Sequence, residues 1–331
     1  MKIVFFLRKS FKNGNYSIEK VFRIINANLS SKLTTEIKVS SFHTRGFLKR
    51  FFNSIEAIFH QGEVNHITGD IHYIAFFLKK NKTVLTIHDF SILRRSSGIK
   101  YFIYYYFWYY LPIVRVRFVT VISNQIKQEL LELFPFAKNK TFVVYNPITI
   151  PVNNNKKNRF NKSFPKILHI GVTENKNLER TIIAISRINC HLRIIGRLDI
   201  YHLALLEKYK INFSNDFNLS DEELVNEYLD ADILSFLSTY EGFGLPIVEA
   251  QLLNLPVLTS NINVLKEVSG LNDHQLANPF DVDDIVFHLD KIINNDVYRD
   301  ELILRGIENV KRFKVEEICN HYLSLYQKIL N

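Results

Sequence analysis

The chain predicts an α/β protein made of two doubly wound domains in tandem, each a parallel sheet flanked by helices. Three observations carry this. The 331 residues exceed one ordinary core and fit two. Short apolar runs alternate with helical patterns along the whole length, as parallel sheets with crossover helices require. The alternation stops once, at the polar, proline-bounded "PVNNNKKNRFNKSFP" (151–165), and then restarts.

In the first half the predicted strands are "KIVFFL" (2–7), "EIKVSSF" (36–42), "VNHIT" (64–68), "KTVLTIH" (82–88), "FVTVIS" (118–123) and "TFVVYN" (141–146). Helical patterns such as "IEKVFRIINANL" and "NQIKQELLELF" lie between them. In the second half "KILHIGV", "HLRIIGR", "NFSND", "ADILSFLS" and "PVLTS" alternate with helices, the first starting near residue 177. The predicted division is a domain at 1–150, a linker at 151–165, a domain at 166–315, and a last helix at 316–331 packing back on the first domain. Two such Rossmann-like sheets are expected to face each other across a cleft, because ligands of these sheets sit at the carboxyl ends of the strands.

The opening "MKIVFFL" reads as a buried strand rather than a leader, since its apolar run is short and no small-residue cleavage site follows. "YFIYYYFWYYLPIV" (101–114) falls short of the roughly 20 residues of a membrane span. It predicts a helix packed on the sheet, with a lipid-facing surface as the alternative. Cys190 and Cys319 form no metal-ligand spacing and no disulfide framework, which suits a reducing cytoplasm.

Net charge is +9 and uneven. Lys+Arg minus Asp+Glu is 22 − 8 = +14 for residues 1–150 and 20 − 25 = −5 for 151–331. The basic half suits an anionic membrane or substrate. Nucleic acid is not expected as a partner. "FLKRFFNSIEAIF" (47–59) is basic and amphipathic, as a helix at a membrane surface would be.

The chemistry concentrates in "TYEGFGLPIVEA" (239–250). A strand pattern ends near Ser238, and a helix begins near Pro246, a residue suited to a first turn. Gly242 and Gly244 let a ligand approach the backbone. A helix start with free amides binds anions, phosphate above all. Glu249, one turn inside, can accept the two hydrogen bonds of a ribose diol. Glu241 would repel a phosphate unless it binds a sugar hydroxyl attached to it. The pattern points to a nucleotide-sugar. An NAD enzyme would carry G-x-G-x-x-G after a strand, and neither half has it.

"EGFGLPIVE" resembles the signature of retaining glycosyltransferases of family 4, which have the GT-B fold. The resemblance extends over "TIHD" (86–89), "TVISNQIKQEL", "YNPI", "ILHIGVTENKNLERTIIAI" and "LSDEELVNEYLDADILSFLSTYEGFGLPIVEAQLLNLPVLTSNINVLKEVSG". It implies that Glu249 holds the ribose and Glu241 the donor sugar. The Gly242–Phe243–Gly244–Leu245 loop lies at sugar and diphosphate, and Lys176 neutralises the diphosphate. It places His88 beside the reacting centre, and Gly14 and Gly171 in turns near the phosphates. Val172 follows Gly171 where many members have arginine, so the basic pair is incomplete; Arg180 and Arg197 are the candidates to replace it, and spacing does not decide whether either does. The implied reaction moves a hexose-type sugar, with retention and without a metal, to a glycan or lipid-linked acceptor. The usual setting is cell-surface polysaccharide or lipopolysaccharide synthesis, at the cytoplasmic face of a membrane. The rival readings are a GT-B-fold epimerase and a non-catalytic partner subunit.

Overall fold

The computed structural model describes residues 1–9, 17–151 and 160–330. It divides into two compact units, one of residues 1–149 with 313–331, the other of residues 150–312. The predicted linker lies largely outside the described residues. Its end does not: Phe160 lies 3.9 Å beneath the Arg299 guanidinium, and the Asn161 amide donates to Asp232. These contacts make residues 160–165 part of the second unit.

The first unit is built on six parallel strands, β1 (Lys2–Leu7), β2 (Thr34–Val39), β3 (Val64–Ile67), β4 (Thr83–Ile87), β5 (Phe118–Val121) and β6 (Thr141–Val143), in the order β2-β1-β3-β4-β5-β6. β3 and β4 are buried along their whole length, which is why they read as unbroken apolar runs. β2 ends before the predicted Phe42. Ser40 donates its amide to Leu7 and Ser41 turns its hydroxyl to Glu56, so the ladder runs out there.

The helix Val315–Leu330 packs on the helix Ser17–Leu29 of this unit. It buries Ile318, Cys319, Tyr322, Leu325 and Tyr326, a single helical stripe. Its anchor is polar. His66 of β3 takes the Tyr326 hydroxyl at 2.6 Å on one ring nitrogen and Thr86 at 2.7 Å on the other, and Thr86 meets Thr120 at 2.7 Å. Every partner is fully buried, so each hydrogen bond replaces water that cannot enter.

The second unit carries β7 (Lys166–Ile170), β8 (His191–Ile195), β9 (Phe213–Asp216), β10 (Ile233–Phe236) and β11 (Val257–Thr259), parallel, in the order β11-β10-β7-β8-β9. Ile167, Leu192, Ile194 and Ile233 meet Ile182, Ile185, Ile285 and Leu289 from the flanking helices Leu178–Ile185 and Val282–Asn294. β7 and β10 are neighbours, so the loops that follow them emerge at one edge of the sheet.

Two core histidines set a pH dependence. Burial lowers His66 to about 3, with the nearby His88 adding to it, and lowers His169 to about 4. The unfolded chain, at about 6.5, binds these protons first. Stability from the neutral rings is therefore complete above about pH 6.5 and is lost as pH falls toward 4, by about 2 kcal/mol per histidine at pH 5. Calorimetric melting should show a clearly lower Tm at pH 5 than at pH 7.5, and His169→Leu should shrink the difference without removing it, since His66 remains. A Tm unchanged between the two would contradict the assignment.

Candidate functional site

The loop after β10 is shaped by one glycine. Gly244 has φ +108°, and a Cβ there would meet Leu265 at 2.9 Å, so a side chain is excluded by both strain and space. Phe243, just before it, is buried. The helix Leu245–Leu252 starts at once, with Pro246 in its first turn. Pro246 has no N–H and the Ile247 amide donates to the Gly244 carbonyl at 3.0 Å, so at the head of this helix the Leu245 N–H is the amide with no acceptor in its own helix.

The loop after β7 supplies the cation. Gly171 has φ +92°, and a Cβ would meet the Lys176 stem at 2.9 Å. The bare glycine thus lets the lysine cross the turn. Lys176 Nζ reaches Glu241 Oε1 at 2.5 Å and sits 4.6 Å above the Phe236 ring. The lysine and glutamate side chains keep 21% and 14% exposure, enough for a ligand to reach them.

Backbone bonds lock the two loops together. Thr239 donates its amide to the Asn175 carbonyl at 2.8 Å, and the Asn175 side chain donates to the Tyr240 carbonyl at 3.0 Å. Asn177, in the left-handed region at φ +60°, donates to the carbonyls of Leu237 (3.1 Å) and Pro279 (2.7 Å). Glu249, 5% exposed, lies one turn into the helix and accepts the Tyr228 hydroxyl at 2.9 Å. Burial first, then the Glu249 charge, pushes the Tyr228 hydroxyl well above its ordinary range, so it stays a donor.

The structure thus brings Gly171, Lys176 and Glu241 into contact, at the edge where the Gly242–Leu245 loop and the head of the Glu249 helix also lie. Arg197 follows β8, the strand paired with β7, and the preceding Gly196 lies so close to Val172 that a Cβ would meet it at 2.7 Å; the arginine side chain is exposed, 5.6 Å over the Phe217 ring. Arg180 donates to Asn177 Oδ1 at 3.0 Å and stacks on Phe280 at 5.4 Å.

In the first unit His88 follows β4 and donates Nε2–H to the Thr68 carbonyl at 2.6 Å. A Cβ on Gly69 would meet its ring at 3.1 Å. Burial lowers its pKa, so the ring is neutral. Asp70 pairs with Arg8, which also holds Glu19 at 2.6 Å. His72 is buried and donates to the Trp108 carbonyl at 2.7 Å, a structural role. Gly14 lies outside the described residues.

Residues 34–150 match the family described as Glycosyltransferase Family 4, and residues 152–309 match that described as Glycosyl transferases group 1. The chain belongs to these glycosyltransferases. It is 36% identical to O-antigen chain mannosyltransferase B of Escherichia coli over 107 residues, which is 32% of this chain. That stretch spans only 28% of the relative's own length. An uncharacterized glycosyltransferase of Methanocaldococcus jannaschii is 28% identical over 271 residues, 76% of this chain and 71% of the other. Among solved structures, Anabaena Alr3699/HepE in complex with UDP and glucose superposes with a TM-score of 0.77 at 14% identity, covering 99% of this chain and 100% of that one. At such identity the likeness is one of fold, and the fold is GT-B.

Sequence reading missed four residues of the glycosyltransferase. Arg8 had a signal, as the first charge after β1. Asn175 and Asn177 flank Lys176 in "ENKN", where turn-forming asparagines are a signal too. Tyr228 had none: its bond to Glu249 crosses between two helices. No helix among the described residues is long and apolar enough to cross a membrane.

Proposed function

We propose that this glycosyltransferase moves a hexose-type sugar from a nucleoside diphosphate to a hydroxyl of a glycan or lipid-linked acceptor, with retained configuration. The observation that carries the reading is the preset Lys176–Glu241 pair beside the head of the Leu245–Leu252 helix. An ammonium has three donors, so Lys176 can keep Glu241 and still take a diphosphate oxygen. The Leu245 amide, at the positive end of the helix, takes a second. Glu241 is left to orient sugar hydroxyls, and Glu249, held by Tyr228, accepts from the ribose.

The bond from the anomeric carbon to the diphosphate oxygen breaks, and its electron pair stays on the diphosphate. The acceptor oxygen attacks from the same face, and its proton passes to a diphosphate oxygen. Lys176 and that amide stabilise the departing charge, so we assign that charge to protein groups rather than a metal. Relatives named for O-antigen synthesis support a role in cell-surface polysaccharide assembly.

Calorimetry with UDP, GDP and ADP tests the donor site. One of the three is expected to bind at least tenfold tighter than the others. Glu249→Ala should abolish that binding, and Tyr228→Phe should weaken it severalfold by freeing the carboxylate to turn. EDTA should leave turnover unchanged within twofold. Binding of none, or binding indifferent to Glu249→Ala, would overturn the ribose assignment.

A further inference from the structure

The helix Phe47–Phe59 is built inside out. It buries Asn53, Ser54 and Ala57 and exposes most of its large apolar side chains. Phe47 is 81% exposed, Phe59 80% and Leu48 68%, with Phe51, Phe52 and Ile58 also exposed. The inward face is stable because its polar groups are satisfied. Asn53 exchanges hydrogen bonds with both backbone groups of Phe42, at 3.0 and 2.9 Å, and reaches the Tyr73 hydroxyl at 3.1 Å. Nothing in the unit's own packing requires six exposed apolar residues on the other face.

A second helical segment repeats the arrangement. Residues 98–115 run as α-helix, then a π-helical stretch Tyr104–Tyr110, then α-helix. The expectation that the aromatic run packs on the sheet holds for one edge only. Trp108 and Tyr109 are buried, whereas Ile99, Phe102, Ile103, Tyr106 and Phe107 form an outward stripe at three- and four-residue spacing. Arg50 ties the two helices together. Its guanidinium lies 4.9 Å over the Trp108 ring and 6.0 Å from that of Tyr73.

Both helices lie on one face of the sheet. The steps β2 to β3 and β4 to β5 run in the same direction across the strand order, opposite to β1 to β2. Right-handed crossovers put their helices together, on the side away from Ser17–Leu29. The rim is cationic. Arg45, Lys49, Arg95 and Lys100 are exposed there, and Arg94 is exposed too but pairs with Glu129 at 3.1 Å. Residues 91–117 contain no Asp or Glu, and Glu56, the one acid in 45–59, is paired with Lys38 at 2.9 Å.

We propose that this two-helix face docks on the surface of an anionic lipid bilayer. Exposed aromatic and aliphatic stripes inside a ring of Lys and Arg match the acyl boundary and headgroups of such a membrane. A second copy of the chain is the poorer match, since a twofold contact would set like-charged rims against each other. The face stands independently of the donor chemistry and would bring a lipid-linked acceptor to the enzyme.

Vesicle flotation tests it, with phosphatidylglycerol/phosphatidylcholine vesicles against phosphatidylcholine alone. Wild type is expected to float with the anionic vesicles at low salt and to lose most of that binding in 0.5 M NaCl, a concentration chosen to shrink screening lengths to about 4 Å. Phe47→Ser with Phe107→Ser, and separately Lys49→Glu with Lys100→Glu, should each reduce flotation at least tenfold. All four side chains are exposed, so the fold should persist, and far-UV dichroism checks this. Lys176→Met should float like wild type, which separates this surface from the donor reading. Failure of wild type to float, or flotation unaffected by both pairs, overturns the proposal. So does light scattering that shows a dimer lost in the phenylalanine pair without any vesicle binding.

Discussion

Lys176→Met should lower kcat/KM by about 10²- to 10³-fold, the scale seen when one preorganised electrostatic donor is removed from a developing negative charge. The loss should fall mainly on kcat, because the charge on the diphosphate grows as the sugar leaves. Lys176→Arg should recover only part, since a planar guanidinium does not fit the narrow path over Gly171. The same path predicts that Gly171→Ala mimics a weak lysine variant. Its Cβ would press on the lysine stem at 2.9 Å in a backbone conformation that alanine resists. Glu241→Gln should raise the donor KM and lower kcat, because it frees the ammonium but loses the sugar contact. Steady-state kinetics with the donor chosen by calorimetry measure all of these. Equal rates for Lys176→Met and wild type would remove the lysine from the mechanism.

Tyr326→Ala should destabilise the first unit by about 3–5 kcal/mol, the range for deleting a fully buried aromatic ring. The ring packs on Phe5, at 6.4 Å between centroids, and stacks on Tyr322 at 5.8 Å. Tyr326→Phe keeps the packing and removes only the hydroxyl. It should still cost about 1–3 kcal/mol, because the His66 nitrogen is then buried without its partner. Urea denaturation compares the two. If Tyr326→Phe matched wild type, the polar anchor would be incidental and the helix held by apolar contact alone.

The inner strands were legible because parallel strands buried on both faces read as apolar runs; among the described residues ten of the eleven strands lie wholly within a quoted run, and the partly exposed edge strand β2 starts two residues ahead of its run, at Thr34. Their ends were not. β4 stops one residue before His88, whose ring nitrogen is taken by Thr68, a partner from another strand end. The helix at 47–59 was also legible, but not which face it turns inward. A polar face can be buried when its groups find partners, and Asn53 finds them in residues 42 and 73. At the site, Glu241 and Glu249 announced themselves through the glycines between them. Tyr228, Asn177 and Arg8 act through neighbours that only the fold brings near.

The first unit needs both the opening residues and the helix Val315–Leu330, while the second is one continuous stretch. On the ribosome, therefore, the opening six strands emerge first yet must wait. His66, Thr86 and Thr120 remain without the last helix while the whole of residues 150–312 is made and can fold. The part made first is finished last. For that interval its apolar surface is left to chaperones, and truncations that spare every functional residue but remove the last helix should fail in the cell through insolubility.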